Sequence, residues 1–180
     1  MKHRITKKQL VIFLLMTIIV SCGSLLELLE LKVDNDLTEN IDINIPQTAG
    51  VTETFSLSKS IDLRSGDLAD YSAKITDIKI NSFTYKFKDF TGNTAGIIPQ
   101  GAIKIDNLLV ESFTNLNVSQ AVNAETIFTI SDRVVLNQLE NTFLNASATT
   151  IVLEGNALTD AGPINFITEF KIKLTATIRE

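Results

Sequence analysis

The segment from Phe170 to Ile178 alternates strictly between apolar and polar side chains, and this pattern limits the possible fold more than any other feature of the sequence. Successive side chains of a β-strand point to opposite faces, so the alternation predicts a long strand with one buried and one solvated face. We expect the apolar set to line a core. That set is Phe166, Phe170, Ile172, Leu174, Ala176 and Ile178.

The same period of two recurs along most of the chain, between segments rich in turn-forming residues. Many short alternating segments separated by turns are typical of an all-β sandwich or barrel. The sequence therefore predicts an all-β fold, an antiparallel β-sandwich or flattened barrel with one or two short covering helices. The clearest further strand segments are 41–45, 51–63, 126–130 and 149–154.

Two strand segments are expected to be irregular. Ile78 and Ile80 occupy one phase of the alternation and Phe83 occupies the other, so the phase must change at 81–82. A β-bulge makes such a change, because one extra residue redirects every later side chain. The segment 103–110 is also predicted to be a strand, with an irregularity around 106–107.

Two helices are predicted from their capping residues. Asp67 is the expected N-cap of a short helix over 67–74, and Ser131 is the expected N-cap of a second helix. On the second helix apolar residues recur every four positions, so one face should cover an open end or edge of the sheet. These residues are Val135, Leu139 and Phe143.

The acid- and amide-rich segment 34–40 is predicted to be a solvated turn between strands. It is a poor calcium loop, because an EF-hand requires glycine at its sixth position and glutamate at its twelfth. Counted from Asp34, those positions hold Glu39 and Ile45. No metal site is expected here.

Phe83, Tyr85 and Phe87 form an aromatic row that is the most attractive candidate for ligand binding, because rings exposed on a sheet stack on sugars. The alternative, which we favour, is that the row belongs to the core. The opposite face of the same segment is polar, as expected of a half-buried strand. It carries Thr84, Lys86 and Lys88.

The N-terminal segment has the pattern of a secretory signal peptide over residues 1–21. Basic residues precede an apolar run from Leu10 to Val20, and small polar residues follow it. The run is about half of the roughly 20 apolar residues that a membrane-spanning helix needs. We therefore expect it to target the chain and to be removed.

The residues Ile19-Val20-Ser21-Cys22 resemble the lipobox of bacterial lipoprotein precursors. This resemblance implies cleavage between Ser21 and Cys22, a diacylglyceryl thioether on the Cys22 sulfur and an acyl group on the new amino terminus. Two or more acyl chains anchor a protein durably without spanning the membrane. The alternative is an ordinary secretory signal followed by an unrelated cysteine.

The remainder divides into a lipidated tether over 22–28 and a single β-sandwich domain over 29–180. Leucines at near-helical spacing in 25–31 leave a short amphipathic tether as an alternative to a first strand beginning at Leu29. In composition and strand arrangement the chain is similar to small uncharacterised lipoproteins of Bacteroidota, a resemblance that carries no functional residues. Family patterns imply the outer membrane, because Gly23 rather than aspartate follows the cysteine; the periplasmic and surface faces both stay open.

Charge and composition exclude several classes of function. Removing residues 1–21 takes away four basic residues and no acid, so the net charge changes from -5 to -9. Such an acidic domain is a poor match for nucleic acid, which binds basic surfaces. The one histidine, His3, lies in the signal peptide and the one thiol is the lipidation site, so no Ser-His-Asp triad, Cys-His pair or zinc site can form.

We therefore expect a membrane-anchored envelope lipoprotein without a cofactor, a non-catalytic binding or accessory module that engages an envelope protein or a glycan. The first alternative is a periplasm-facing carrier of an apolar ligand or an assembly factor, which requires the Phe83 face to line a cavity. The second is a carboxylate-dependent glycan hydrolase, which requires two acids roughly 5 to 9.5 Å apart in a cleft.

Overall fold

The computed structural model describes residues 30–48, 52–92, 96–159 and 161–179. Eight strands and two α-helices lie in these ranges, together with a 3₁₀ helix at Gly66–Tyr71. The strands are β1 (Glu30–Ile45), β2 (Thr52–Asp62), β3 (Ile75–Gly92), β4 (Ile97–Ile105), β5 (Leu108–Asn117), β6 (Ile127–Thr129), β7 (Ala148–Leu158) and β8 (Ile164–Arg179), and the helices are α1 (Val118–Asn123) and α2 (Arg133–Asn145).

The strands form two four-stranded sheets that pack face to face. The first sheet has the order β1-β8-β3-β6 and the second has the order β2-β7-β4-β5, and every strand pairing among the described residues is antiparallel. The predicted all-β sandwich is confirmed. Eight antiparallel strands shared in this order between two sheets form a jelly roll, in which six of the seven connections cross from one sheet to the other.

The two ends of the sandwich are distinct. At the N-terminal end, Glu30 at the start of β1 pairs with Arg179 at the end of β8. The 3₁₀ helix, the β4–β5 hairpin and α2 also lie at this end, by the direction of their strands. At the distal end, Ile45 pairs with Ile164, and the connections β1–β2, β3–β4, β5–β6 and β7–β8 lie there.

Strand β8 lies in the centre of the first sheet and supplies much of the core. It pairs with β1 along one edge and with β3 along the other. All six residues predicted to face inward are buried, which confirms the alternation read from the sequence. At roughly 25 cal/mol per Å² of apolar surface, burial of this face is a main source of stability.

The predicted bulge in β3 is also confirmed. The register of β3 against β8 shifts between Ile80 and Ser82. Ile80 and Phe83 are both buried although they are three positions apart, a spacing that would place them on opposite faces of a regular strand. The bulge therefore keeps both halves of the strand facing the same core.

The predicted turn at 34–40 is wrong, because β1 runs unbroken from Glu30 to Ile45. Every residue of β1 pairs with one of β8, and this ladder outweighs the turn preference of Asp and Asn. Polar residues are tolerated because β1 is an edge strand. Its inward-facing Asn35 is buried and donates a hydrogen bond to the Ser65 carbonyl oxygen at 3.2 Å.

The segment 103–110 is a hairpin rather than one irregular strand. Strand β4 ends at Ile105, β5 begins at Leu108, and Asp106 adopts φ 51° in the two-residue turn. Its carboxylate accepts hydrogen bonds from Thr149 Oγ1 at 2.8 Å and from the Thr150 N–H at 2.9 Å. The hairpin is thereby fastened to β7.

Both predicted helices exist, but each begins at a residue other than the predicted cap. The first is the 3₁₀ helix, whose N-cap is Ser65 rather than Asp67. The second is α2, capped by Asp132 rather than Ser131, because the Asp132 carboxylate accepts hydrogen bonds from two backbone N–H groups of the first turn. No helix among the described residues is long and apolar enough to cross a membrane.

Helix α2 covers one edge of the first sheet, as its apolar spacing predicts. Leu136, Leu139 and Phe143 are buried, and Val135 packs on the core from its margin. The Glu140 side chain accepts a hydrogen bond from the Ile80 N–H at 2.9 Å. Because β6 is only three residues long, this contact satisfies part of the β3 edge that β6 leaves unpaired.

Candidate functional site

The outer face of the second sheet is dominated by hydroxyl and amide side chains, and we call it the hydroxyl face. On β2 every second residue is an exposed serine or threonine, while Phe55 and Ile61 face inward and are buried. The polar pattern continues across the neighbouring strands. The hydroxyl face comprises Thr52, Thr54, Ser56, Ser58, Ser60, Gln100, Ala102, Lys104, Ser112, Thr114, Thr150, Val152, Glu154 and Asn156.

A groove of about 430 Å³ lies on the hydroxyl face where β2, β7 and β4 run side by side. Its position is closer to the distal end than to the N-terminal end, since Thr52 pairs with Leu158 at the distal margin of the sheet. Outward side chains and exposed backbone share the lining. The lining residues are Thr54, Phe55, Ser56, Gln100, Gly101, Ala102, Glu154, Gly155 and Asn156.

A pair of glycines lies beneath the groove. Gly101 of β4 pairs directly with Gly155 of β7. On the flanking strands, Phe113 of β5 pairs with Gly101 and Phe55 of β2 pairs with Gly155. A Cβ atom on Gly101 would lie 2.2 Å from the Phe113 ring, and one on Gly155 would lie 2.6 Å from the Gln100 carbonyl oxygen. The Phe113 ring therefore occupies the space that a side chain at Gly101 would need, and the backbone of β4, with the Phe55 ring behind it, occupies the space at Gly155.

The polar groups of the groove form a small network. Thr54 Oγ1 donates a hydrogen bond to Asn156 Oδ1 at 3.0 Å, and Lys104 Nζ forms an ion pair with Glu154 Oε1 at 2.5 Å. The Asn156 and Gln100 amides supply both donors and acceptors. Such a lining can hydrogen-bond a neutral polar ligand at a smaller desolvation cost than a lining of charged groups.

A second polar site lies on the outer face of the first sheet, where three lysines surround one carboxylate; we call Lys86, Lys88, Lys171 and Glu169 the lysine cluster. Lys88 Nζ donates a hydrogen bond to Glu169 Oε2 at 2.9 Å. Glu169 Oε1 lies 3.5 Å from Lys86 Nζ and 3.4 Å from Lys171 Nζ, and makes only these longer contacts. The Lys88 hydrogen bond, helped by Lys171 and Lys86, lowers the pKa of Glu169 to about 2 although desolvation opposes this.

The aromatic row predicted as a candidate ligand platform lies inside the sandwich. Phe83, Tyr85 and Phe87 are 0%, 4% and 3% exposed, and the Tyr85 ring stacks on Phe128 with centroids 4.9 Å apart. Burial raises the pKa of Tyr85, and the nearby charge of Glu111 raises it further. The row is core, so it offers no exposed ring face for a sugar.

The other predicted site residues, Ser21 and Cys22, lie outside the described residues, so lipidation stays a prediction. Sequence reasoning missed the groove. One signal for it was available, the run of serine and threonine at every second position of 52–60. The sequence offers no signal for the pairing of Gly101 with Gly155, because their register depends on which strands become neighbours.

The carboxylates of these surfaces bear on metal binding and on glycoside hydrolysis. Within the described ranges, no three residues among His, Cys, Asp and Glu are grouped so as to hold a metal ion. Glu154 is the one carboxylate among the described residues lining the groove, and Lys104 pairs with it. A glycosidase requires two carboxyl groups across its cleft.

Comparison with known proteins concerns the fold alone. No family model matches the sequence, and no curated protein sequence matches it. Among solved structures the chain is similar to the decameric BFDV capsid protein, with 11% identity, 81% of this chain and 99% of that chain covered, and a TM-score of 0.43. It is also similar to the mud crab tombus-like virus structure (10% identity, 83% and 91% covered, TM-score 0.36) and to turnip yellow mosaic virus (8% identity, 81% and 83% covered, TM-score 0.30). The strand order, rather than these matches, identifies the jelly roll.

Proposed function

We propose that this chain is a lipid-anchored protein of the bacterial cell envelope, whose β-sandwich is a non-catalytic binding module with its ligand in the groove of the hydroxyl face. The groove is the observation that carries the proposal, since it is concave, lined by hydrogen-bonding groups and not covered by any of the described residues. The lipobox resemblance of Ile19-Val20-Ser21-Cys22 supports the anchor.

The lining favours a neutral ligand rich in hydroxyl or amide groups, and a glycan segment fits this chemistry best. The groove is lined by Gln100, Asn156 and Glu154, and amide and carboxylate side chains can each hydrogen-bond to adjacent hydroxyl groups of a sugar. Neutral hydroxyls leave water at little cost when a ligand replaces their hydrogen bonds. An apolar ligand would leave these groups unsatisfied.

The position of the groove suits a module held near a membrane. Seven residues lie between Cys22 and Glu30, and the eight residue-to-residue steps span about 28 Å at most when fully extended. The tether therefore keeps the N-terminal end of the sandwich close to the lipid. The groove lies nearer the opposite, distal end, where a ligand in the surrounding medium can reach it.

The carrier alternative has less support. It requires the Phe83 face to line a cavity, whereas these rings are buried against other core rings, including Phe128 and Phe166. The hydrolase alternative requires a second acid beside Glu154 in the groove. We therefore retain binding as the function.

Glycan binding to the purified full chain, measured on a glycan array and then by titration calorimetry, tests the groove. We expect the double variant Gln100→Ala, Asn156→Ala to weaken binding about tenfold, because each lost hydrogen bond contributes about 0.5 to 1.5 kcal/mol. The matched control is Ser58→Ala, Ser60→Ala, on the same face but outside the groove, with less than a twofold effect. Equal losses in both variants, or no glycan bound, would reject the groove as the glycan site.

Replacement of Cys22 tests the anchor independently of the groove. Cys22→Ala should abolish incorporation of labelled fatty acid and leave uncleaved precursor, because the thioether cannot form. Ser24→Ala, two residues after Cys22, should be labelled like the parent chain. Unchanged labelling of Cys22→Ala would show that the lipobox assignment is wrong.

A further inference from the structure

The lysine cluster on the first sheet has more positive charge than its single carboxylate can balance. Lys86 pairs across the strands with Glu169, while Thr84 pairs with Lys171 and Lys88 pairs with Ile167. Three ammonium groups thus lie within 3.5 Å of one carboxylate, an excess of two positive charges. On β1 the residues opposite Glu169 and Lys171 are the uncharged Asn40 and Thr38.

The surrounding acids do not remove this excess. Asp36 forms an ion pair with Lys173 at 3.2 Å, and among the described residues Glu169 is the only acid that forms an ion pair with a lysine of the cluster. The very low pKa of Glu169, near 2, agrees with a strongly positive local potential. A mobile anion is the group that would complete the charge balance.

A small cavity of about 60 Å³ lies next to the cluster and has the size for one oxyanion. A cavity of this size holds a few water-sized groups at most, so the ligand group that enters it must be small. Lys86, Lys171 and Thr84 line it, and the Thr84 hydroxyl is a further donor. The Glu169 carboxylate lines it as well and competes with an anion for both lysines. The exposed side chain of Ile127 closes one side and gives an apolar contact for whatever carries the anion.

We propose that Lys86, Lys171 and Thr84 form a binding site for a single tetrahedral oxyanion, a phosphoryl or sulfuryl group, distinct from the groove on the opposite sheet. The ammonium groups pair with its oxygens and the Thr84 hydroxyl donates a further hydrogen bond. Glu169 positions the lysines and prevents the site from attracting anions too strongly. A phosphorylated or sulfated sugar and a phospholipid headgroup share this chemistry.

Thermal unfolding of the full chain in detergent tests the site, with sodium phosphate and sodium sulfate compared against sodium chloride at equal ionic strength. An anion that binds the native state raises the melting temperature as its concentration rises above its dissociation constant. We expect Lys171→Ala to weaken phosphate binding at least fivefold and Lys86→Ala, Lys171→Ala to abolish it. Lys173→Ala is the matched control, since this lysine on the same strand has a partner of its own in Asp36 and should change the affinity less than twofold.

Glu169→Gln distinguishes a loss of anion binding from a folding defect, because this variant should gain affinity for phosphate rather than lose it. It removes the competing negative charge, so phosphate should bind at least threefold more tightly even where the variant is less stable. Equal melting temperatures in phosphate and chloride, or equal losses in Lys171→Ala and Lys173→Ala, would overturn the proposal. Two further probes are glucose 6-phosphate and vesicles containing one-fifth phosphatidylglycerol. Preferential binding of the soluble ester identifies a sugar phosphate as the ligand, whereas Lys171-dependent binding of the vesicles identifies a lipid headgroup. If neither probe binds, the proposed site is wrong.

Discussion

The two outer faces of the sandwich are built from different polar chemistry, although both belong to long antiparallel strands. The first sheet presents lysine, aspartate and glutamate joined by ion pairs, including those of Lys173 with Asp36 and of Glu169 with three lysines. The second sheet presents serine, threonine and amides, with a single ion pair between Lys104 and Glu154 among its described residues.

The two outer faces therefore differ in the free energy needed to remove water when a ligand binds. This cost is high for the charged face of the first sheet and lower for the hydroxyl face of the second. Charged groups hold water strongly, so covering them requires a partner of matching charge. Hydroxyls and amides lose water more readily and recover the loss through new hydrogen bonds. Protein interfaces follow the same rule, since charged residues are depleted from their centres. The hydroxyl face therefore suits an extended neutral ligand, and the charged face suits one small anion.

The inner faces of the two sheets differ as well. We expect the largest loss of stability when a core residue of the first sheet is truncated. Phe170 is 1% exposed in the central strand β8, so Phe170→Ala should reduce the free energy of unfolding by about 3 to 5 kcal/mol. Phe55 is 8% exposed on the edge strand β2, where the neighbouring structure collapses more easily, and Phe55→Ala should cost less. Urea unfolding followed by circular dichroism measures both. A loss below about 1 kcal/mol for Phe170→Ala would place that residue at the surface.

An intermediate effect is expected from filling the glycine pair of the second sheet. Gly101→Ala places a Cβ atom against the Phe113 ring, and such overpacking costs about 1 to 3 kcal/mol. Ala102→Ser, the next residue but facing outward, is the control and should stay within about 0.5 kcal/mol of the parent. If both variants unfold at the same urea concentration, the ring does not occupy the space beneath the groove.

The response to acid sharpens the contrast between the ion pairs of the two outer faces. Because the pKa of Glu169 is about 2 when folded and 4.5 ordinarily, the unfolded chain binds more protons between these values. The stabilisation from Glu169 is therefore complete above about pH 4.5 and is lost as the pH falls towards 2. Unfolding free energies at pH 6, 4 and 3 should show a smaller decrease for Glu169→Gln than for the parent chain.

Glu154→Gln is the control for this acid sensitivity, because its ion pair with Lys104 is one-to-one and about one-third exposed, where pairs contribute little. Its decrease with falling pH should match that of the parent chain. A parallel decrease for Glu169→Gln would mean that the lysine cluster contributes nothing to the acid response.

The parts of this fold that could be predicted from the sequence are those that depend only on the order of side chains within a single strand. The alternation of β8 and the phase change at Asn81-Ser82 both follow from side-chain direction within a single strand, and both are confirmed. The cap of α2 was misplaced by one residue, because Ser131 and Asp132 are both good caps and only the backbone geometry selects between them.

The parts that could not be predicted depend on neighbours from distant sequence. Residues 34–40 have turn-forming composition, yet pairing with β8 makes them a strand. The hairpin at Asp106 divides what appears in sequence as one strand, because Ile105 and Leu108 continue the apolar pattern across the turn. The groove and the lysine cluster likewise require the register between strands, which no local pattern contains.

The pairing of β1 with β8 has a consequence for how the domain reaches its native state. The ladder joins Glu30 to Arg179, so the first sheet cannot close until nearly the whole chain is present. Contacts of such long sequence separation make folding slow, on the scale of milliseconds to seconds. A chain whose first sheet stays open until its last strand is made suits the export proposed above, because a chain that has not yet folded can pass through a membrane.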